Sequence, residues 1–406
     1  MHTITTIVAE RIQDSRGTDT LLITARCGDL HASFSVPSGA STGAHEAHEL
    51  RDPNGEGISL AISVINHIIA PRLIGRLVTD QKQIDTLLCS LDKDPQKGTL
   101  GANSILGVSG AIAQLGALVA GVPLHQYLRT TFSEVPLGQD PYPHCYFNLI
   151  NGGKHAHTHL AFQEYHIVPR CGSVREDLAC ATEIYGALRD RIEHDYPGTV
   201  LGDEGGFALD VASVEAPLAL LREVVSNLRY TDRVSFALDV AASSFFEQGT
   251  YSYSGASHSA QELSALYGTM AQEQSFISIE DPFDEESFAD FAALRRVIPS
   301  VKIIGDDLTV TNTTLLTKAA EAGAIDGLII KPNQIGTISE TVAAIGEAHR
   351  RGLVCIVSHR SGETMDTTIA DIVAAFQCFG LKSGAPGPKE RMVKYERLLA
   401  ISQHHE

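Results

Sequence analysis

Asp326-Gly327-Leu328-Ile329-Ile330-Lys331-Pro332-Asn333-Gln334-Ile335-Gly336-Thr337 reads as a short apolar strand that runs into a lysine and stops at Pro-Asn-Gln. An apolar run of this length, closed by turn residues, has the pattern of a buried strand. Lys331 then stands at its carboxyl end, with the ammonium in a sheltered place. A single lysine so placed is more often a strand cap that points to solvent, because lysine is rarely buried without a partner. Repetition of the same design on both sides reverses that reading.

Apolar strands recur at 144–149, 164–168, 234–240, 276–279, 301–304, 327–330, 353–357 and 380–382. Amphipathic helices fall at 174–194, 214–228, 260–274, 287–297, 312–322, 339–350, 367–378 and 389–402. Strands alternating with helices in this way predict a parallel sheet closed into a (β/α)8 barrel. Its opening is irregular: the first two strands have no helix between them, and two helices then follow in a row. The fold class is therefore α/β, with a ββαα start to the barrel. In such barrels the chemistry lies at the carboxyl ends of the strands. Here those ends carry Asp239, Glu280, Asp306, Lys331, His359 and Lys382, at intervals of 41, 26, 25, 28 and 23 residues. One ionisable residue at a strand end is an ordinary cap, but six on consecutive strands converge on one mouth. Like charges gathered there are costly unless a cation holds them. Asp239, Glu280 and Asp306 are the hard oxygen donors that Mg²⁺ prefers.

The first third is different. Residues 3–9, 20–27 and 31–36 read as strands, the last two joined at Gly28-Asp29, and helical patterning follows at 58–69, 80–91 and 102–120. This is a small α+β domain over residues 1–135, with 136–143 as the linker and a barrel domain over 136–406. Pro37-Ser38-Gly39-Ala40-Ser41-Thr42-Gly43 cannot pack a core, and composition alone makes it an ordinary turn.

Composition narrows the function classes. Hydrophobic residues are 43% and charged residues 20% of 406, a globular mixture. A net charge of -18 disfavours a nucleic-acid backbone or an anionic membrane as partner. No uninterrupted apolar run reaches the length of a membrane span, and Met-His-Thr-Ile-Thr-Thr-Ile lacks the features of a secretory signal. Seven cysteines without a Cys-x-x-Cys pair argue against a disulfide framework or a structural zinc site. The expected setting is the reducing cytoplasm.

Two lysines beside an acidic metal site define a chemistry. A lysine among other cations has its proton loosened and can take a weakly acidic proton from carbon, while the metal stabilises the enolate formed. Arg360-Ser361, after His359, offers a guanidinium fork and a hydroxyl to a phosphate or carboxylate. Asp203 and Glu204 lie in the glycine frame Gly202–Gly206, where an acid can assist a leaving hydroxyl. The class implied is proton abstraction beside a carboxylate and β-elimination on a small anionic substrate.

The chain resembles the enolase (phosphopyruvate hydratase) family along nearly all of its length. The matching motifs are Asp14-Ser15-Arg16-Gly17, Pro37–Gly43, Gly101–Gly107, Asn151–Ala156, Gln163-Glu164 and Gly202–Phe207, then Asp239–Ser243, Ser278–Phe283, Gly305–Asn312, Lys331–Thr337, Ser358–Thr364 and Lys382–Pro386. The resemblance implies reversible dehydration of 2-phosphoglycerate to phosphoenolpyruvate. Lys331 would be the base at C2 and Glu204 the acid, tuned by Glu164 with Asp203 nearby. It places a structural Mg²⁺ on Asp239, Glu280 and Asp306, and a second, substrate-dependent Mg²⁺ with Ser41, which turns the 37–43 loop from a turn into a lid. Lys382 would face the substrate carboxylate and Arg360 with Ser361 its phosphate, with His155, Gln163 and His359 lining the pocket. It also implies a homodimer or octamer.

Departures from the family pattern fall at Thr18-Asp19, His157-Thr158-His159, Leu209, Ser244, Met365 and near Gly57. None removes a proposed catalytic group. The altered loop at His157–His159 motivates an alternative, in which the same enolate chemistry acts on a related phosphono or phosphino acid. A non-catalytic binding protein that keeps the fold is the third reading, and the complete set Lys331, Glu204, Asp239, Glu280 and Asp306 argues against it.

Overall fold

The structure, a computed structural model, describes residues 2–40, 43–53, 55, 57–140, 142–273 and 275–403. Strands Thr6–Gln13, Asp19–Cys27 and Leu30–Ser35 form an antiparallel meander with the central strand in the middle. Leu21, Ile23, Ala25 and Cys27 alternate along that strand and turn one face inward, as a period of two requires. Helix Ala102–Ala120 packs on this face. Its glycines permit the approach: a Cβ on Gly110 would lie 2.5 Å from the Phe34 ring, and one on Gly107 would lie 2.2 Å from Ile23. The same helix is long and apolar enough to cross a membrane, at 19 residues and mean hydropathy 1.5, but 83% of that window is buried in the fold. It is a core helix.

The segment expected to be one helix at 58–69 is Ser59–Val64, a wider π turn at Ile65–Ile69, and Ala70–Leu73. Helix Leu124–Thr131 was not foreseen; it is short and starts after Pro123, with His125, Tyr127 and Leu128 buried.

The barrel closes. Strands His144–Asn151, Glu164–Pro169, Val234–Asp239, Phe276–Glu280, Lys302–Gly305, Gly327–Ile330, Val354–Ser358 and Gly380–Lys382 pair in turn, and the last pairs with the first. One expectation fails, for not all eight strands are parallel. Glu164–Pro169 runs antiparallel to both of its neighbours. The physical reason is the connection. Residues 152–163 hold only the single turn Gly153–His155, and a crossover to a parallel strand usually runs through a helix, which this link lacks. The reversal matters for the site, because Glu164 at the start of its strand comes to the rim and pairs in register with Asp239 at the end of the next.

Two additions escaped the sequence reading: the two-residue strand Phe207–Ala208 beside His144–Asn151, and a small antiparallel sheet of Phe246–Glu247, Thr250–Tyr253 and Ala256–His258. Inside the barrel, Tyr146, Val168, Ala237, Ile304, Ile329, Ile356 and Phe379 form a compact cluster beneath the mouth.

The N-terminal part seals one side of that mouth. Ser38 pairs with Gly362, and the Ala40 N–H donates to Ser361 Oγ at 2.7 Å. Further back, the Ile338 N–H donates to Ser109 Oγ and Lys97 pairs with Glu340.

Candidate active site

The strand ends converge as the spacing required. Asp239, Glu280 and Lys382 are the last residues of their strands, and Asp306, Lys331 and His359 each follow a strand directly. Lys331 is half-buried and the other five are buried. All but Glu280 line one cavity, together with His155, Gln163, Glu164, Glu204, Arg360 and Ser361. Glu280 is buried against Lys382, with Oε2 2.8 Å from its Nζ. The backbone is forced at the rim: Ala241 and Asp281, next to these acids, hold left-handed φ angles of 47° and 41°. Non-glycine residues in that region are strained and cluster at functional sites.

The cations of the site are held by its own acids. Lys382 Nζ lies 2.9 Å from Asp239 Oδ2, 2.8 Å from Glu280 Oε2 and 3.3 Å from Glu164 Oε2. Burial alone would lower the Lys382 pKa, and these three carboxylates drive it well above the ordinary lysine value instead. Lys331 makes a short ion pair with Asp306. Burial opposes its charge too, yet the Asp306 carboxylate holds the proton and raises the pKa. Asp306 therefore opposes, in the chain alone, the loosening expected of a lysine beside a bound cation. In the chain alone the nearest charge to Lys331 is an acid, and Arg360 and Lys382 act against it only weakly.

Burial, then the Lys382 and Glu164 charges, leave Asp239 above the usual carboxylate range, while burial and the Asp239 charge put Glu280 well above it. Asp306 is lowered, since Lys331 overcomes its burial. Three buried carboxylates on adjacent strands, each needing a cation, suit a hard divalent metal by charge and donor type. In the chain alone Lys382 and Lys331 supply the positive charge beside these acids. Among the described residues, the groups whose ligand atoms fall within 4.8 Å of one another are Asp281 with Asp306 and Asp307, and His155 with Glu164 and Glu204. Both are compatible with metal binding.

Glu204 is gripped from several sides. His359 Nε2 lies 3.2 Å and His155 Nδ1 3.6 Å from Oε1, and Asn148 Nδ2 donates to Oε2 at 2.9 Å. Burial and Glu164 push its pKa up, but His359 and His155 prevail and hold it below the ordinary range. Glu164 is likewise lowered, burial being outweighed by Lys382 with His155 and His166. Asn148 reaches Glu204 from inside an apolar strand, where the pairing register shifts between Asn148 and Ile150; bulges re-aim side chains in this way. Arg391, fully buried on the last helix, donates to His359 Nδ1 at 2.7 Å. That nitrogen is then the acceptor, so Nε2 carries the hydrogen that faces Glu204.

Arg360 is buried between Glu46, at 3.0 Å and 3.3 Å, and Asn333 Oδ1 at 3.0 Å. Gln334 Nε2 joins Glu46 to Asp306 with donations of 3.2 Å and 3.0 Å. The 37–43 loop passes close: a Cβ on Gly39 would lie 1.9 Å from the Arg360 guanidinium. Ser41 lies outside the described residues. Gln163 Nε2 reaches Asp239 Oδ2 at 3.3 Å. Asp203 joins the group through its carbonyl, which accepts from Arg391. His157 and His159 are exposed, and His157 lines a neighbouring cleft with Lys154, Val200 and Leu201. Sequence reasoning missed Glu46, Asn148, His166, Gln334 and Arg391; only Gln334 lies in a stretch it had singled out.

Comparison with known proteins agrees with this architecture. Residues 4–128 match the family model described as the enolase N-terminal domain, and residues 140–405 match that of the enolase C-terminal TIM barrel domain. A curated enolase of Methanococcus aeolicus is 43% identical over 406 residues, spanning 98% of this chain and 94% of that protein. The enolase of Methanocaldococcus jannaschii is 43% identical over 405 residues with the same coverage, and that of Thermococcus kodakarensis is 42% identical over 415, covering 99% and 95%. Both halves match in order and at nearly full length, so the chain belongs to the enolase family, the phosphopyruvate hydratase lyases.

Proposed function

We propose that this chain interconverts 2-phosphoglycerate and phosphoenolpyruvate with Mg²⁺, using Lys331 as the base at C2 and Glu204 as the acid that assists hydroxide departure. The observation that carries the reading is that both groups line one cavity with Asp239, Asp306, Arg360 and Lys382. Proton abstraction by a Lys or His base beside Mg²⁺ is the general chemistry of the enolase superfamily, so that pattern comes from the family and not from this geometry.

Asp239, Glu280 and Asp306 are the residues that would hold Mg²⁺, and a bound Mg²⁺ would supply electrostatic stabilisation of enolate charge. Were Asp306 to ligate a cation, Lys331 would lose the counter-ion that holds its proton, and the like charges of Lys382 and Arg360 would then favour its release. Glu204 rests ionised, the form that accepts a proton from water in the hydration direction. An anionic substrate beside it raises its pKa by like-charge repulsion and favours the protonated form that dehydration needs. Arg360 and Ser361 take the phosphate, Lys382 faces the carboxylate, and His155, Gln163 and Glu164 complete the wall. A second, substrate-dependent Mg²⁺ is assigned to Ser41.

The rest of the reading follows from the family: an N-terminal capping domain over 1–135, a barrel domain over 136–406, a homodimer or octamer, and a cytoplasmic setting. The test is absorbance at 240 nm, where the phosphoenolpyruvate double bond appears, with 2-phosphoglycerate, Mg²⁺ and an EDTA control. A metal-dependent rise abolished in Lys331→Ala supports the proposal. No rise from folded, Mg²⁺-loaded protein refutes it and turns the search to phosphono and phosphino analogues.

A further inference from the structure

Behind the mouth, buried bases and acids alternate in a row. His359 Nε2 contacts Glu204 Oε1 at 3.2 Å, His155 Nδ1 contacts Glu204 Oε1 at 3.6 Å and Glu164 Oε1 at 3.3 Å, and His166 Nε2 contacts Glu164 Oε2 at 2.8 Å. Four of these five residues line the cavity, and His166 does not. It is 1% exposed, two residues along the strand from Glu164 and so on the same face, with its ring edge-on to Tyr146 at 6.0 Å. Nδ1 has no hydrogen-bond partner among the described residues, and the Nε2 approach to Glu164 is at bonding distance but off the ideal line. An imidazole buried among Tyr146, Val168, Ala237 and their neighbours is costly unless a polar partner holds it. Contacts of this kind are often poorly aligned without substrate and tighten when it binds.

We propose that His166 is a positioning residue that fixes the rotation of the Glu164 carboxylate. His166 and Lys382 hold Oε2 from behind, at 2.8 Å and 3.3 Å, which leaves Oε1 turned to His155 and through it to Glu204. Lys382 cannot do this alone, because its ammonium is shared with Asp239 and Glu280 at shorter range. Without His166 the carboxylate is free to turn, and the acid at Glu204 loses its ordered neighbour. The inference rests on the dehydration reading above.

The test compares His166→Leu, which fills the space without a donor, with His166→Gln, which restores an N–H donor. Partners one layer behind reacting groups typically contribute about 10–100-fold. His166→Leu should lower kcat by about that factor while KM stays within about twofold, and His166→Gln should recover most of the loss. Wild-type kcat in His166→Leu overturns the proposal. So does a rise in KM that accounts for the loss, or a His166→Gln variant as defective as His166→Leu. A second readout needs no turnover: ¹⁵N spectra of histidine-labelled, Mg²⁺-loaded protein should place the His166 proton on Nε2 and show that signal moving in Glu164→Gln. An unmoved signal, or a proton on Nδ1, overturns the proposal even if the variants misfold. Failure of the wild type to turn over 2-phosphoglycerate instead overturns the functional reading, and the spectra still decide the His166–Glu164 pairing.

Discussion

Arg391→Met tests whether the last helix anchors the mouth. The guanidinium donates to the carbonyls of Arg360 and Ser361, both at 2.6 Å, and of Asp203 at 2.8 Å, besides His359 Nδ1 at 2.7 Å. No carboxylate takes part in these bonds. Methionine keeps the apolar stem and removes every donor. Three buried carbonyls left without that donor cost about 1–3 kcal/mol each. Relief from burying a cation returns several kcal/mol. Against a gross loss of about 3–9 kcal/mol, that relief leaves a net destabilisation of at most a few kcal/mol. It should appear as a lower urea midpoint with an unchanged slope, followed by circular dichroism at fixed protein and Mg²⁺ concentration. The rate at 240 nm should fall as well, because the same bonds fix the tautomer of His359 and hold the loop that presents Arg360 and Ser361. Arg391→Lys should fall between, since an ammonium cannot reproduce the planar fork. An unshifted midpoint with wild-type turnover in Arg391→Met would refute the reasoning.

Asn148→Ala removes the donor to Glu204 Oε2; kcat should fall by about 10-fold or more with KM little changed, and an equal loss in both would count against it. Burial, reinforced by Asp306, raises Asp307 to about 8, and Asp239, Glu280 and Asp281 are raised too. A carboxyl that keeps its proton in the folded chain and loses it in the unfolded one makes stability fall as pH rises between the two values. The lowered acids Glu164, Glu204 and Asp306 act only below about pH 5, and the lowered histidines His144, His349 and His359 add stability as pH rises to about 6.5, so EDTA-treated protein should lose stability from about pH 7 to 8 and Mg²⁺ should flatten that slope. Melting curves that rise over this range without metal would contradict it. Gly110→Val drives a side chain into the Phe34 ring and should destabilise by about 1–3 kcal/mol without altering KM; an unchanged melting temperature would show that the helix can shift.

The strand-end residues were legible because six of the eight barrel strands are short apolar runs that end at, or run directly into, an ionisable residue, a pattern that needs no knowledge of direction. Direction is what it hides. Apolar periodicity reads the same forwards and backwards, so the reversal of Glu164–Pro169 was visible only in the lack of a helix before it. Asn148 was hidden for another reason: it sits mid-strand among Phe147, Leu149 and Ile150, and only the shift in pairing brings it to Glu204. Arg391 looks like one more surface charge between Lys389, Glu390 and Lys394, and its burial is a tertiary fact. The small sheet at 246–258 did leave a signal, in Tyr251 and Tyr253 alternating between Gly249 and Gly255. The roles of individual side chains came from family resemblance; spacing gave the mouth, not the division of labour within it.

The reversed strand also makes one loop unusually replaceable. Residues 152–163 leave the rim and return to it, carrying His155 and Gln163 in the same excursion. Both ends are tied to the barrel by strand pairing, Asn151 to Glu164 and Glu164 to Asp239. Lengthening or exchanging the middle of that excursion, around His157–His159, reshapes one flank of the entrance and leaves the closure of the cylinder untouched. In a wholly parallel barrel a loop at the entrance must run on into a helix on the outside. Here it is a cassette, and a graft of a different segment between His155 and Gln163 would redesign what the entrance admits while keeping both of those side chains.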